Sequence, residues 1–255
     1  STVDQAIQKT DEIIAKTERL KKGLMQELLS GRVRIREEDG RISFYRETRF
    51  KDTEIGKIPE DWEVVRLGEV INYKKGKKPK KLFDIWKDTY LPYLTAEFFR
   101  TGRPDKFVDT SKETGIEIVN SDDIVLIWDG SNAGDVFRGL KGVLASTMVK
   151  IDVKDPNKVC KNFIYYFLKT KFSILNTQTT GSTIPHVSKT VFENLPIPLP
   201  PIPEQRKIAE ILSTIDKKLE IERKEKEKLK RIKKGLMDVL LTGRVRVKLD
   251  VQSGT

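Results

Sequence analysis

Apolar residues return at three- and four-residue intervals, or combinations of these, through Ile208, Ile211, Ile215, Leu219, Leu229, Ile232, Leu236 and Leu240. That spacing lays them along one stripe of an α-helix. The stripe thins where Glu222, Glu225 and Lys226 occupy seam positions. The start of the chain repeats the pattern, with Val3, Ile7, Ile13, Leu20, Leu24 and Leu28 on the stripe and Thr10 and Thr17 at its weak points. The two stretches are copies of one another: residues 2–35 align without a gap on residues 214–247 at a constant offset of 212, with 15 identities in 34 pairs. They end almost alike, as LKKGLMQELLSGRVRI (20–35) and IKKGLMDVLLTGRVRV (232–247). Gly31 and Gly243 stand just past the last periodic leucines, where a left-handed C-cap belongs, and Arg32, Arg34, Arg244 and Arg246 follow. A helix over residues 204–241 would be about 57 Å long at about 1.5 Å per residue, too long for one small core to cover. The repeat therefore predicts that the copies pack together as a coiled-coil-like pair, antiparallel if the intervening chain leads back. Two amphipathic helices capping one core separately is the alternative, and the shared glycine and arginine terminus argues against it.

Between the helices the period changes. After an acidic, irregular stretch, Gly56 and Pro59 mark a turn and Val64, Val65 and Leu67 begin a strand or short helix. Residues 116–119, 124–128 and 143–151 read as buried strands, with Gly130, Asn132 and Gly134 in a tight loop, and residues 161–172 as an amphipathic helix. Proline at alternate positions of Leu195-Pro196-Ile197-Pro198-Leu199-Pro200-Pro201-Ile202-Pro203 excludes a helix and permits an extended edge segment. A proline-rich ligand for an adaptor domain is the other reading, disfavoured because the apolar residues alternate as in a packed strand. The fold class is α+β: one globular mixed domain plus two long helices. The expected organisation is a first helix at 1–35, a linker at 36–53, the globular domain at 54–203, a second helix at 204–247 and a tail at 248–255.

Charge sharpens this division. The 255 residues carry a net +11, and the excess is local: residues 204–247 hold 14 Lys and Arg against 8 Asp and Glu, and residues 72–112 hold 11 against 5. Polyanions become the first partners to consider. No apolar run approaches the roughly 20 residues of a membrane-spanning helix, so a cytoplasmic protein without membrane attachment is expected. With one cysteine, Cys160, and one histidine, His186, there is no internal disulfide and no zinc-type ligand cluster.

Three motifs together resemble one family, the specificity (S) subunits of type I restriction-modification systems. They are IPEDWEVVRLGEV (58–70), TTGSTIPHVSKTVFENLPIPLPPIPEQRKIAEIL (179–212) and the twice-occurring KKGLM…LL(S/T)GRVR helix ends. The resemblance covers essentially the whole chain and names the 54–203 globule a target recognition domain and the helices spacers. Members of the family usually carry two recognition domains alternating with two spacer helices, whereas this sequence has one domain between two helices. It implies a non-catalytic subunit that binds double-stranded DNA at one half of a bipartite site and docks methyltransferase (M) subunits and, through them, restriction (R) subunits. S-adenosylmethionine, ATP and magnesium would then belong to the partner subunits and no cofactor to this chain. A second copy of the chain is a further candidate partner for the helices.

The residue inventory agrees. The sequence has no Gly-rich nucleotide fingerprint after a strand, no GxxxxGK(S/T) loop and no Asn-Pro-Pro-Tyr or Asp-Pro-Pro-Tyr string. Asp122, Asp123, Asp129 and Asp135 offer carboxylates for a nuclease metal, but the first two more naturally open a turn and Asp129 closes a strand. For DNA the first candidate is Lys74, Lys75, Lys77, Lys78, Lys80 and Lys81, which Gly76 and Pro79 keep from being helical, so that a loop of ammoniums can follow phosphates. A solvated loop that keeps the protein soluble is the bland alternative. Arg100 and Arg103 flank Gly102 and reach phosphate or guanine. The second candidate comprises Thr180, Gly181, Ser182, Thr183, His186, Ser188 and Lys189, whose polar groups suit base edges and whose glycine allows close approach, against a generic polar loop and a structural histidine. The third is Ser131 and Asn132 in the loop 129–134, where a plain hairpin turn is equally good. Lys21, Lys22, Lys233 and Lys234, with the repeat arginines, face either the partner subunit or the DNA between half-sites. A coiled-coil interaction scaffold with an incidental basic patch is the competing functional class.

Overall fold

The computed structural model of the chain describes residues 2–177, 179–180 and 185–244, the side chains of Thr179 and Thr180 excepted. The chain divides into two compact units, one drawn from Ser1–Gln26 and Glu210–Thr255, the other from Glu27–Ala209.

Helix α1 (Thr2–Leu29) stops where its glycine signal falls. Gly31 turns left-handed at φ 72° and its N–H donates to the Leu28 carbonyl. A Cβ at this position would lie 2.4 Å from Pro59 Cγ, so glycine also permits the chain to press against that proline. The GRVR segment then leaves the helix as strand β1 (Val33–Glu38), paired antiparallel with β2 (Arg41–Arg46). Asp39 and Gly40, both at positive φ, make the two-residue turn that an Asp-Gly pair favours. A hairpin therefore occupies residues that the sequence assigns to the end of the first spacer and to a linker; the Asp-Gly signal was there, hidden by the charge around it.

A second hairpin, β3 (Phe50–Thr53) with β4 (Gly56–Pro59), leads to β5 (Glu63–Arg66), the single turn α2 (Leu67–Val70) and β6 (Ile71–Lys75). After a long loop come β7 (Tyr90–Leu94), α3 (Ala96–Thr101), β8 (Phe107–Asp109), β9 (Ile118–Val119), β10 (Ile124–Ile127), β11 (Val136–Phe137), β12 (Gly142–Leu144) and β13 (Met148–Val153). They build two four-stranded sheets, ordered β11-β10-β13-β6 and β8-β7-β12-β9, the first antiparallel throughout and the second parallel only between β7 and β12. All four residues of β10 are buried, which explains its unbroken apolar run, and Val125 and Ile127 share one core with Tyr93, Leu94, Val143 and Leu144 from the second sheet. The expected strand at 143–151 is broken into β12 and β13 because residues 145–147 turn between the sheets.

Helix α4 (Lys161–Lys169) is buried continuously from Phe163 to Leu168 rather than on one face. Then come α5 (Phe172–Thr177), β14 (Thr179–Thr180), β15 (His186–Val187), α6 (Lys189–Glu193) and β16 (Pro196–Leu199). The proline strand β16 pairs with β5, Pro196 opposite Arg66 and Leu199 opposite Glu63. Helix α7 (Ile202–Leu241) closes the order.

Its first turn is clamped. Arg34 from β1 uses all five guanidinium N–H donors: Nε and Nη2 on Glu204 at 2.7 and 2.8 Å, Nη1 on Glu47 at 2.7 Å, and Nη1 and Nη2 on Asp61 at 2.9 and 2.8 Å. The Trp62 indole donates to Glu204 at 3.2 Å and its ring lies under the guanidinium. Beside it the fully buried Gln205 accepts from the Cys160 N–H and donates to the carbonyls of Lys158 and Pro200.

In the helical unit, Asp4, Asp11 and Lys21 face Lys233, Lys226 and Asp216. Seven residues up α1 are seven down α7, and the next ten up are ten down, so the helices run antiparallel. Asp4 and Asp216 are equivalent positions of the repeat, as are Lys21 and Lys233. One contact is thus made twice, about a local two-fold axis. The polar seam that the sequence shows at Glu222 and Lys226 is where Glu18 meets Arg223 at 2.6 Å and Asp11 meets Lys226. Thr10 and Thr17 are buried, the Thr10 hydroxyl donating to the Ala6 carbonyl. The expected stripe at Ile232, Leu236 and Leu240 is instead exposed: the pairing face of α7 continues through Leu229 and Lys233. Among the described residues no helix is long and apolar enough to cross a membrane.

Arg34→Met leaves the nearly buried Glu47 and Glu204 carboxylates without their cation. Urea denaturation should show a loss of about 3–5 kcal/mol. Backbone N–H groups of Arg49 and Thr48, with Arg34, hold Glu47 below the usual carboxylate range, and Arg34 does the same for Asp61. The stabilisation from a depressed carboxyl is complete above its ordinary pKa of about 4 and disappears as pH falls through the lower folded value. Wild-type stability should accordingly drop on acidification below about pH 4, with Arg34→Met showing a shallower decline in the same titration.

Candidate nucleic-acid interface

The basic loop is built outward from β6. Its register against β13, with Lys74 opposite Lys150 and Lys75 opposite Val149, sets where the first two lysines point. Lys74 lies 2.6 Å from Glu117, which Lys150 also reaches at 2.5 Å, and Lys75 lies 2.8 Å from Asp129. Burial would raise the Glu117 pKa, but the two ammoniums hold it below the usual range. Lys74 and Lys75 are therefore strand residues engaged with carboxylates, unlike the loop lysines that the sequence suggests. At Gly76 the chain brushes the 144–145 turn so closely that a Cβ would sit 2.2 Å from the Ala145 carbonyl oxygen. Beyond it Lys77, Lys78, Lys80 and Lys81 are all exposed, while Pro79 is buried and the Glu113 carboxylate accepts the backbone N–H groups of Lys80 and Lys81 at 2.8 and 3.4 Å. The backbone is pinned and four cations project from it.

The polar loops meet at this same end of β6, where Lys75 reaches Asp129. Asp129 forms an isolated antiparallel bridge with His186, Gly130 donates to the Pro185 carbonyl, and Val187 donates to that of Trp128. The amide of Asn176 donates to the carbonyls of Ser131 and Ala133, both at 3.0 Å, and fixes the turn that exposes Ser131 and Asn132. Under this junction Tyr73 stacks on Trp128 with ring centres 5.3 Å apart, and Phe192 meets both edge-on. Burial, then the hydrogen bond to Glu193, pushes the Tyr73 hydroxyl up to about 12. Three aromatic rings thus position β6, the 129–134 loop and the β15-α6 segment together. Sequence reasoning missed this cluster because its members lie more than fifty residues apart.

The second candidate group is brought to the third, but unevenly. Thr180 pairs with His186 through the backbone; its side chain, and Gly181, Ser182 and Thr183 entirely, lie outside the described residues. His186 is half-buried. Ser188 is the N-cap of α6, its hydroxyl oxygen accepting the Val191 N–H, which gives it a structural task that competes with base reading. Lys189 is exposed, 3.8 Å from Glu193. Arg100 is committed to Asp135 at 2.9 Å over the Phe137 ring, whereas Arg103 projects exposed after the left-handed Gly102.

The carboxylates are occupied as well. Asp123 accepts from Lys161 at 2.7 Å and from the Asn120 N–H and, against burial, is held below the usual range; Asp129 and Asp135 face Lys75 and Arg100. Among the described residues no group of three or more His, Cys, Asp or Glu side chains is placed to hold a metal ion.

Charge counting also overlooks the loop between Lys81 and β7. It exposes Ile85 and Trp86, although the other two tryptophans of the chain are buried. An Ile-Trp pair inside a polar, non-periodic stretch was the available signal.

Residues 59–231 match the family described as the type I restriction modification DNA specificity domain. The type I restriction enzyme MjaVIII specificity subunit of Methanocaldococcus jannaschii is 49% identical over 203 residues, 79% of this chain and 47% of that one. The putative MjaX specificity subunit of the same organism is 33% identical over 263 residues, 97% and 56% of the two chains. Among solved structures, the type I restriction-modification S subunit from M. genitalium superposes with a TM-score of 0.63 at 19% identity, covering 93% of this chain and 57% of that one, a likeness of fold. The chain spans about half the length of the curated relatives it matches. With the family match covering more than half of its residues, the chain belongs to the type I restriction modification DNA specificity domain family.

Proposed function

We propose that the chain is a non-catalytic, sequence-reading subunit that binds double-stranded DNA at one half of a bipartite site, its paired helices serving as ruler and as docking post for methyltransferase subunits and, through them, restriction subunits. The observation that carries this reading is the pinned loop whose four exposed ammoniums, Lys77, Lys78, Lys80 and Lys81, fit a phosphate backbone, on the same strand β6 whose Lys75 reaches the turn exposing Ser131 and Asn132. Phosphate contacts of this kind position a protein, and the exposed amide and hydroxyl supply groups that can discriminate base edges. No cofactor is assigned to this chain; S-adenosylmethionine, ATP and magnesium are assigned to the partners.

Replacing Lys77, Lys78, Lys80 and Lys81 by Gln should weaken binding to every duplex and flatten the dependence of log affinity on log salt by up to about 3 to 4 units, since each neutralised phosphate contributes about 0.9. Selection from a random duplex pool should return one short motif. Unchanged affinity in the variant favours the scaffold reading, and equal affinity for all duplexes removes the sequence-reading one.

A contrast between the repeat copies supports self-association. The first copy ends with Leu28 and Leu29 buried and Arg34 held by Glu47, Asp61 and Glu204. The second copy ends with Leu240 44% and Leu241 80% exposed, and Gly243 at φ 68° repeats the turn of Gly31. Arg246, the counterpart of Arg34, lies outside the described residues. We infer that the exposed leucines at this end of α7 pack against the helices of a second copy. Mass measurement in solution should find a dimer that Leu240→Ser with Leu241→Ser converts to monomer; a wild-type monomer at high concentration overturns the inference.

A further inference from the structure

Ile85 is 75% and Trp86 57% exposed, on a loop that is anything but loose at its base. Phe83 makes a two-hydrogen-bond antiparallel bridge with Phe107, at 2.9 and 2.8 Å, and its ring packs on Tyr90 with centres 4.7 Å apart. Asp84 is engaged by Lys106, and the Tyr90 N–H donates to the Lys87 carbonyl to close the turn. The anchored base carries the two large apolar side chains outward into water, where they contribute nothing to the core. Around them the charge is positive: Lys77, Lys78, Lys80, Lys81 and Lys87 stand within ten residues of Trp86, against Asp84, already paired, and Asp88. An apolar tip framed by ammoniums suits a partner with a charged rail on each side of a stack of flat apolar faces, which is the description of a DNA groove.

We propose that Ile85 and Trp86 form a wedge that enters the groove of double-stranded DNA and opens a base step, with the neighbouring lysines on the flanking phosphates. This rests on the DNA-binding reading above and adds to it a bent duplex and a preference for steps that unstack easily, notably pyrimidine–purine ones. Side-chain insertion of this kind needs a rigid base, which the Phe83, Tyr90 and Phe107 contacts supply.

The test uses the full chain and a duplex selected by it. Trp86→Ala should weaken binding roughly 10- to 100-fold while leaving the salt slope unchanged, because a stacking surface is lost and no phosphate contact. Trp86→Phe should retain most of the affinity. Trp86 is the only exposed one of three tryptophans, so adding DNA should quench wild-type fluorescence and leave that of Trp86→Phe unmoved. Energy transfer between dyes on the duplex ends should report a bend that Trp86→Ala abolishes. Unaltered affinity and fluorescence in a wild-type protein that binds DNA overturn the wedge alone, as does a variant that binds DNA normally but no longer associates with methyltransferase subunits. A wild-type protein that binds no duplex overturns the underlying reading instead. Melting temperature serves as the control and should be unchanged by either substitution.

Discussion

A buried guanidinium must find a partner for every N–H, and Arg34 finds them on three carboxylates that sequence separates by 13, 27 and 170 residues. Burial alone would lower its pKa, yet the hydrogen bonds it donates to Asp61 and Glu204 overcome that and hold the charge. The arrangement forms only when the hairpin after α1, the turn after β4 and the first turn of α7 arrive together. Partial assembly leaves an unpaired charge out of water, which is costlier than having none of the group there. The network thus ties together the two ends of the Glu27–Ala209 unit, next to the ladder between β5 and β16.

The helical unit follows a different rule. Its seam is charged where a coiled coil is ordinarily apolar, and exposed pairs such as Glu18 with Arg223 each contribute little. What they supply is direction: in the antiparallel register Asp4, Asp11 and Glu18 of α1 each meet a base of α7, and Lys21 meets Asp216. Stability is left to residues such as Leu212 and Leu219 and to the buried Thr10 and Thr17.

Legibility in the sequence tracked distance along the chain. The helices, their glycine ends and the unbroken apolar strand β10 depend on neighbours three or four residues away, and periodicity displays them. The Asp39-Gly40 hairpin was equally local but sat amid charges that read as linker. The interface was harder, because what a lysine does depends on what stands opposite it: Lys74 and Lys77 look alike in sequence and both are exposed, but only Lys74, on β6 beside β13, is set against Glu117. The same holds for Ser188, a polar loop residue by composition and a helix cap by position, and for Arg100, which Asp135 claims from 35 residues away.

The doubled contact of the helical unit, Asp4 with Lys233 and Lys21 with Asp216, restricts how such a protein can change its length. Inserting one residue into α7 between 216 and 233 rotates everything beyond it by about 100° and moves it by about 1.5 Å, so one rung survives while the other is lost. Only additions or deletions made in both helices, equal in number and close to whole pairs of turns, keep every rung opposite its mate. Variation in the distance between the ends of the rod is therefore quantised, and it must be written twice in the gene.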